Sequence, residues 1–172
     1  MAAAHIQGVQ SKNVGTSIKH FAANNQEHRR LSCSSEIDER TLREIYLAAF
    51  EAAIKEGKPD TVMCSYNKIN GTFASENHWL LTEVLRDEWG FAGYVMSDWG
   101  AVNDRVRGLA TGLDLEMPAS GGHTDAEIVA AVKNGTLDEA VLNRAVERIL
   151  RIIFKFADGR RPGDFDMEKH NH

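Results

Sequence analysis

The amino-acid sequence predicts an α/β fold of about four βα units with parallel strands, and three observations carry that prediction. Short β-branched or apolar runs alternate with longer segments of helical periodicity, glycine and proline punctuate the junctions, and each strand-like run ends in polar residues. Strands separated by helices of ten or more residues pair in parallel through right-handed crossovers, which places their C-terminal ends on one rim. At 172 residues the chain can bury one sizeable core. A complete (β/α)8 barrel typically needs about 250 residues and seldom fewer than about 200, so only part of such a barrel is expected.

The elements follow in order. Ala2 to Gln10 reads as the last turns of a helix, and Val14 to Ile18 as a strand that delivers Lys19-His20-Phe21 at its end. After the polar stretch Asn24 to Ser35, the residues Leu42, Ile45, Tyr46, Ala49, Phe50, Ala53 and Ile54 recur at helical spacing until Gly57 and Pro59. Thr61 to Ser65 reads as the second strand, followed by Tyr66-Asn67 and a turn at Asn70-Gly71. Trp79, Leu80, Val84, Leu85 and Trp89 mark a helix stopped by Gly90, and Tyr94 to Ser97 forms a strand ending at Asp98. A short helix through Val102, Val106 and Leu109 ends near Gly112, and Leu113 to Met117 reads as the fourth strand, closed by Pro118. Thr124 to Glu127 and Thr136 to Glu139 each fit a capping box, predicting two more helix starts. The last helix runs from Glu139 to about Phe156, leaving a domain over residues 1–157 and a polar, linker-like tail over 158–172.

Twenty Lys and Arg against 25 Asp and Glu give a net charge of −5, without a basic run. That leaves no electrostatic footprint for nucleic acid or an anionic membrane surface. No segment approaches the about 18 consecutive apolar residues of a membrane span, and Met1 to Gln10 lacks the pattern of a secretory signal, so a cytoplasmic location is expected. Cys33 and Cys64 read as free thiols, each a small buried hydrophobe. Without a signal, the Asn70-Gly71-Thr72 and Asn134-Gly135-Thr136 sequons read as turns. His5, His20, His28, His78 and His123 match no compact ligand spacing, and the terminal His170-Asn171-His172 lacks a nuclease context. Neither a metal nor a cofactor is expected.

The strand ends carry the chemistry. Lys19-His20-Phe21-Ala22-Ala23-Asn24-Asn25-Gln26-Glu27, Met63-Cys64-Ser65-Tyr66-Asn67-Lys68-Ile69-Asn70-Gly71 and Val95-Met96-Ser97-Asp98-Trp99-Gly100 stand in this order, each at a strand end. In these motifs the chain resembles the N-terminal barrel domain of family 3 glycoside hydrolases, the retaining β-glucosidases and their relatives. Gly112-Leu113-Asp114-Leu115-Glu116-Met117-Pro118 resembles that family's next strand. The likeness covers nearly the whole chain and implies the second half of a TIM (β/α)8 barrel.

The resemblance implies a role for each matching residue. Asp98 corresponds to the nucleophile that attacks the anomeric carbon and forms a glycosyl-enzyme, a task suited to an ionised carboxylate. Outside that motif, Asp98 would read as the cap of a helix starting near Ala101. Lys19 and His20 correspond to donors to sugar hydroxyls; alternatively they are a structural ion-pair lysine and a satisfied core histidine. Adjacent strand residues point to opposite faces, so both reach one ligand only if the strand ends or bulges there. Arg30, beside Arg29, corresponds to a sugar-binding arginine. Tyr66 corresponds to a tyrosine whose hydroxyl orients the nucleophile, the alternative being a buried aromatic with a polar tip. Met63 and Trp99 would wall the pocket. N-acetylhexosaminidases of the family carry a Pro-Gly-His-Gly-type continuation after Lys-His-Phe, whereas Ala22 to Glu27 resembles the β-glucosidase branch.

A retaining mechanism needs two carboxyl groups about 5 to 5.5 Å apart. In the β-glucosidase branch the acid/base Glu comes from a following domain, and an Asp and an Arg that bind the sugar come from the first half of the barrel. None has a counterpart here, and Glu27, Glu36, Glu39, Glu76 and Glu116 are not assignable to the acid/base role. The expected partners are a β-glucoside or oligosaccharide, neither nucleic acid nor membrane, and a second copy or a complementing barrel half for the open sheet edges. An inert half-barrel or a sugar-binding module is the competing reading.

Overall fold

The computed structural model describes residues 1–157. Its main sheet is parallel, in the order β1 (Ser17–Phe21), β3 (Thr61–Cys64) and β6 (Tyr94–Met96). Ser17 pairs with Thr61 and Thr61 with Tyr94, so the strands run in step and finish on one rim. The β1 register slips between Ile18 and Phe21, the irregularity that Lys19-His20 would need to reach one ligand. Val62, Cys64 and Val95 are fully buried toward the helical layer, while Met63 and Met96, paired with each other, are only half-buried on the opposite face.

Helices cover the other face. α1 (Ala2–Gln10) lies on the end of α2, a helix over residues 39–57, where Gln7 donates to Glu56 O at 2.8 Å and Gln10 to Lys58 O at 3.1 Å. These amides satisfy carbonyls that a helix end leaves unpaired. α3 (Trp79–Glu88) buries Leu80, Leu81, Val84 and Leu85 completely. Both α2 and α3 contain wide i→i+5 turns, as in Leu47 N to Leu42 O and Trp89 N to Val84 O. Phe21, at the end of β1, packs edge-on against Phe50 of α2 and tilted on Trp89, closing the core beneath the rim. α4 (Arg105–Thr111), α5 (His123–Lys133) and α6 (Glu139–Ala157) follow, and Leu109, Ile128, Ala131, Leu137 and Ala145 form a second apolar cluster. No helix among the described residues is long and apolar enough to cross a membrane.

Several local expectations are corrected. The first strand begins at Ser17, because Val14 and Gly15 are exposed. Leu113 to Met117 is reduced to one parallel bridge between Met96 and Leu115. The reason is Asp114, whose carboxylate takes the Val95 N–H at 2.8 Å and substitutes a side chain for part of the ladder. Thr124 does not cap α5; its hydroxyl lies on Glu116 and Ser120. Asp138 rather than Thr136 receives an N–H at the start of α6, from Ala140. A second small sheet was not anticipated: β2 (Ser34–Ser35) pairs in parallel with β4 (Lys68–Ile69), which turns at Asn70-Gly71 into antiparallel β5 (Thr72–Phe73). Both turn residues have positive φ, 49° and 83°, as an Asn-Gly hairpin requires. Cys64 is buried as expected, but Cys33 is only partly so. The terminal histidines and the tail lie outside the described residues.

Asp114 locks the later elements together. Its carboxylate, 1% exposed, meets Arg86 of α3 at 2.6 Å and Arg148 of α6 at 2.9 Å. Arg86 also donates to Gly93 O and Gly112 O; burial pulls its guanidinium down from the ordinary value, and the charge of Asp114 opposes that. Removing one partner of a buried pair leaves an uncompensated charge, so Asp114→Ala is expected to cost about 3–5 kcal/mol in urea unfolding. Arg40→Ala, which breaks an exposed pair with Glu44, should change stability far less.

Candidate functional site

The rim where the strands end gathers most of the residues singled out by motif. Asp98 lies just past β6, with its side chain 14% exposed. Its Oδ2 is 3.3 Å from His20 Nε2, and its Oδ1 accepts the Trp99 N–H at 2.7 Å. Asp98 is therefore not a helix cap: the next helix starts at Arg105 and is capped by Asp104, whose carboxylate accepts from Arg107 N.

Tyr66, just beyond β3, donates its hydroxyl to Trp99 O at 2.9 Å. Burial pushes the Tyr66 phenol up from its ordinary value, and the adjacent negative charge of Asp98 adds to that. Arg30 stacks on the Tyr66 ring at 4.3 Å and pairs with Glu27 at 2.5 Å. Arg29, by contrast, is exposed with φ 57° in the left-handed region. A continuous set of contacts thus joins Arg30, Tyr66, Trp99, Asp98 and His20. Trp99 is 65% exposed beside it.

Lys19 and Met63 are not tied into this set. Lys19 is exposed, makes no hydrogen bond or ion pair among the described residues, and borders an apolar groove of about 810 Å³ between α1, α2 and β1. Met63 faces the open side of the sheet next to Met96.

Three of the glutamates considered for the acid/base role are engaged elsewhere. Glu27 is exposed on Arg30. Glu76 is buried and accepts from Asp104 N at 3.1 Å. Glu116 takes the Thr124 hydroxyl at 2.5 Å and lies 4.0 Å from Arg105.

Two residues at the site were not singled out by motif reasoning. Cys64 is fully buried at the end of β3, where burial pushes its thiol up to about 12, so it stays protonated beside Asp98. Ser97, also fully buried, donates to Met117 O at 3.1 Å and accepts from Met117 N at 2.8 Å. A serine at the inward end of a strand, immediately before the polar site residue, was the available signal.

The family described as "Glycosyl hydrolase family 3 N terminal domain" matches residues 1–152. "Thermostable beta-glucosidase B" of Acetivibrio thermocellus is 59% identical over 172 residues, covering 99% of this chain and 23% of that protein. "Exo-alpha-(1->6)-L-arabinopyranosidase" of Bifidobacterium breve is 56% identical over 168 residues, covering 96% of this chain and 22% of that protein. Among solved structures, a family 3 beta-glucosidase of Bifidobacterium adolescentis superposes with a TM-score of 0.91 at 50% identity, covering 98% of this chain and 25% of that one. Beta-glucosidase 3B of Thermotoga neapolitana, in complex with alpha-D-glucose, gives 0.90 at 45% identity with the same coverage. The chain therefore spans about a quarter of the length of these relatives. Its motifs, its parallel strands with Asp98 on their rim and the match over residues 1–152 agree: the chain belongs to glycosyl hydrolase family 3, within the family's N-terminal domain.

Proposed function

We propose that this chain supplies the nucleophile side of a retaining β-glycosidase pocket acting on β-D-glucosides, with Asp98 as the nucleophile. The observation that carries this reading is the partly exposed Asp98 carboxylate at the strand-end rim, in contact with His20 and flanked by Tyr66 and Trp99. An oxygen of Asp98 attacks the anomeric carbon while the bond from that carbon to the leaving oxygen breaks, and a separate carboxylic acid gives the leaving oxygen its proton. Water, deprotonated by that same group, then displaces Asp98 from the glycosyl ester. Lys19, His20 and Arg30 hold sugar hydroxyls, Met63 and Trp99 bound the ring, and Tyr66 keeps Asp98 in orientation. The acid/base Glu belongs to sequence outside this chain, in keeping with the greater length of the relatives.

The competing reading is a half-barrel that binds sugar weakly and catalyses nothing by itself. It is favoured by the structural engagement of Glu76 and Glu116, which leaves Asp98 without a second carboxyl partner among the described residues. The two readings separate in one experiment. The isolated chain should show no turnover of an aryl β-D-glucoside. The same chain, grafted in place of its counterpart in the Acetivibrio thermocellus relative, should be active. Asp98→Ala in the graft should lower kcat by at least about 10³-fold, the scale for losing a covalent nucleophile. A folded but inactive graft, or one that survives Asp98→Ala, would overturn the assignment.

Ultraviolet titration reports on the same site. Tyr66 should ionise above the ordinary value of about 10, identified by its loss in Tyr66→Phe. Asp98→Asn removes a neighbouring negative charge and should move that ionisation downward, leaving the share due to burial.

The open flanks support association. The groove beside β1 and the exposed Val146, Leu150, Ile153 and Phe154 of α6 are apolar surfaces. We expect the isolated chain to self-associate or to bind a complementing barrel half. Light scattering that finds a monodisperse 19.1 kDa species would refute this.

A further inference from the structure

We infer that Ser97 is the positioning residue for Asp98, an inference that rests on the reading of Asp98 as nucleophile. Beyond Met96 the main-chain ladder of β6 ends, apart from Ser97 N donating to Leu115 O at 2.9 Å. Asp98 itself gives and takes no main-chain hydrogen bond with a neighbouring strand among the described residues; its carbonyl is bonded only within its own turn, by Ala101 N at 3.1 Å. The position of its backbone is therefore set from either side.

Both sides converge on Met117. Upstream, the Ser97 hydroxyl donates to Met117 O at 3.1 Å and accepts from Met117 N at 2.8 Å, doing with one side-chain oxygen what a paired backbone residue does with two groups. Downstream, Gly100 N donates to the same Met117 O at 2.8 Å. The segment from Ser97 to Gly100 is thus a short arch with both feet on one residue, and Asp98 stands inside it. Trp99 O is separately held by the Tyr66 hydroxyl. Ser97 is fully buried, so water cannot take over its bonds. Without the hydroxyl the upstream foot keeps only the Ser97 N to Leu115 O bond and loses both ties to Met117, so the carboxylate can drift from His20.

Displacement of a reacting group by about 1 Å can cost about 10²-fold in rate, because reaction requires near-attack geometry. In the grafted enzyme described above, Ser97→Ala should lower kcat by about 10- to 100-fold with KM changed by less than about 3-fold, the pattern of an interaction that matters in the transition state. Ser97→Thr restores the hydroxyl and should recover most of the rate. In the chain alone, Ser97→Ala should move the Tyr66 ionisation downward, in the same direction as Asp98→Asn, because the carboxylate withdraws from the phenol. Thr82→Val, which removes a comparable hydroxyl bond to Thr111 O at 2.9 Å away from the rim, should lower the melting temperature without changing kcat. A Ser97→Ala enzyme with unchanged kcat, while Asp98→Ala is inactive, would overturn the positioning role and leave the nucleophile intact. Loss of kcat in Ser97→Thr equal to that in Ser97→Ala would also overturn it. If Ser97→Ala does not fold, Ser97→Cys keeps the volume with a weaker hydrogen-bonding group, and full activity there would count against the inference. Activity that persists in Asp98→Ala would instead remove the reading on which the inference depends.

Discussion

The buried carboxylate of Asp114 is the constraint through which the rest of the rim is organised. Held by Arg86 of α3, Arg148 of α6 and the Val95 N–H, it fixes the segment after Gly112 against the edge of β6 with a side chain where a full strand would use a ladder. Asp114 N and Leu115 N both donate to Val95 O, and Leu115 O accepts from Ser97 N at 2.9 Å, so the segment follows β6 to its end. Past that point Met117 meets the Ser97 hydroxyl and Gly100 N. The line of force from core to site is therefore Asp114 to Met117, Met117 to Ser97 and Gly100, and these to Asp98.

Hydroxyl groups repeat this device along the rim. Ser65 at the end of β3 donates to Ala22 O, just past β1, at 2.9 Å. Tyr66 reaches Trp99 O, and Ser97 reaches Met117. Ser75 reaches Ala101 O at 2.9 Å from the connecting turn. Each strand end is tied to the next by a side chain, at the level where a parallel ladder gives out and the connecting chains turn away. Such bonds hold loops in register without filling the rim with further backbone, and they leave its upper surface to the polar side chains.

Much of this was legible in the sequence, for identifiable reasons. Helices α2, α3 and α6 were visible because their apolar faces repeat over three or more turns, and β1, β3 and β6 because short β-branched runs stop at polar residues. The contact of His20 with Asp98 was not written in either motif; it arises because β1 and β6 end on one rim with β3 between them. Most of the misses share a cause. The fourth strand, the first capping box and the small second sheet involve side chains from other segments, Asp114 on Val95, Glu116 on Thr124 and Ser34 on Gly71 N, whereas the second box was displaced locally by Asp138 taking Ala140 N. Local patterns carry no record of such partners.

The indirect fixing of Asp98 has a chemical logic. Every hydrogen bond or positive charge placed on a carboxylate stabilises its ionised form, and in doing so withdraws electron density from the oxygen that must attack. Asp98 already carries the Trp99 N–H on Oδ1 and His20 at Oδ2. Further direct donors would hold it more firmly but draw more electron density from its oxygens. Anchoring the backbone on both sides, through Ser97 and Gly100 on Met117 and through Tyr66 on Trp99, restrains the same carboxylate while adding no charge to it. In this geometry the main chain on both sides of Asp98 is anchored by atoms that place no further charge on the carboxylate.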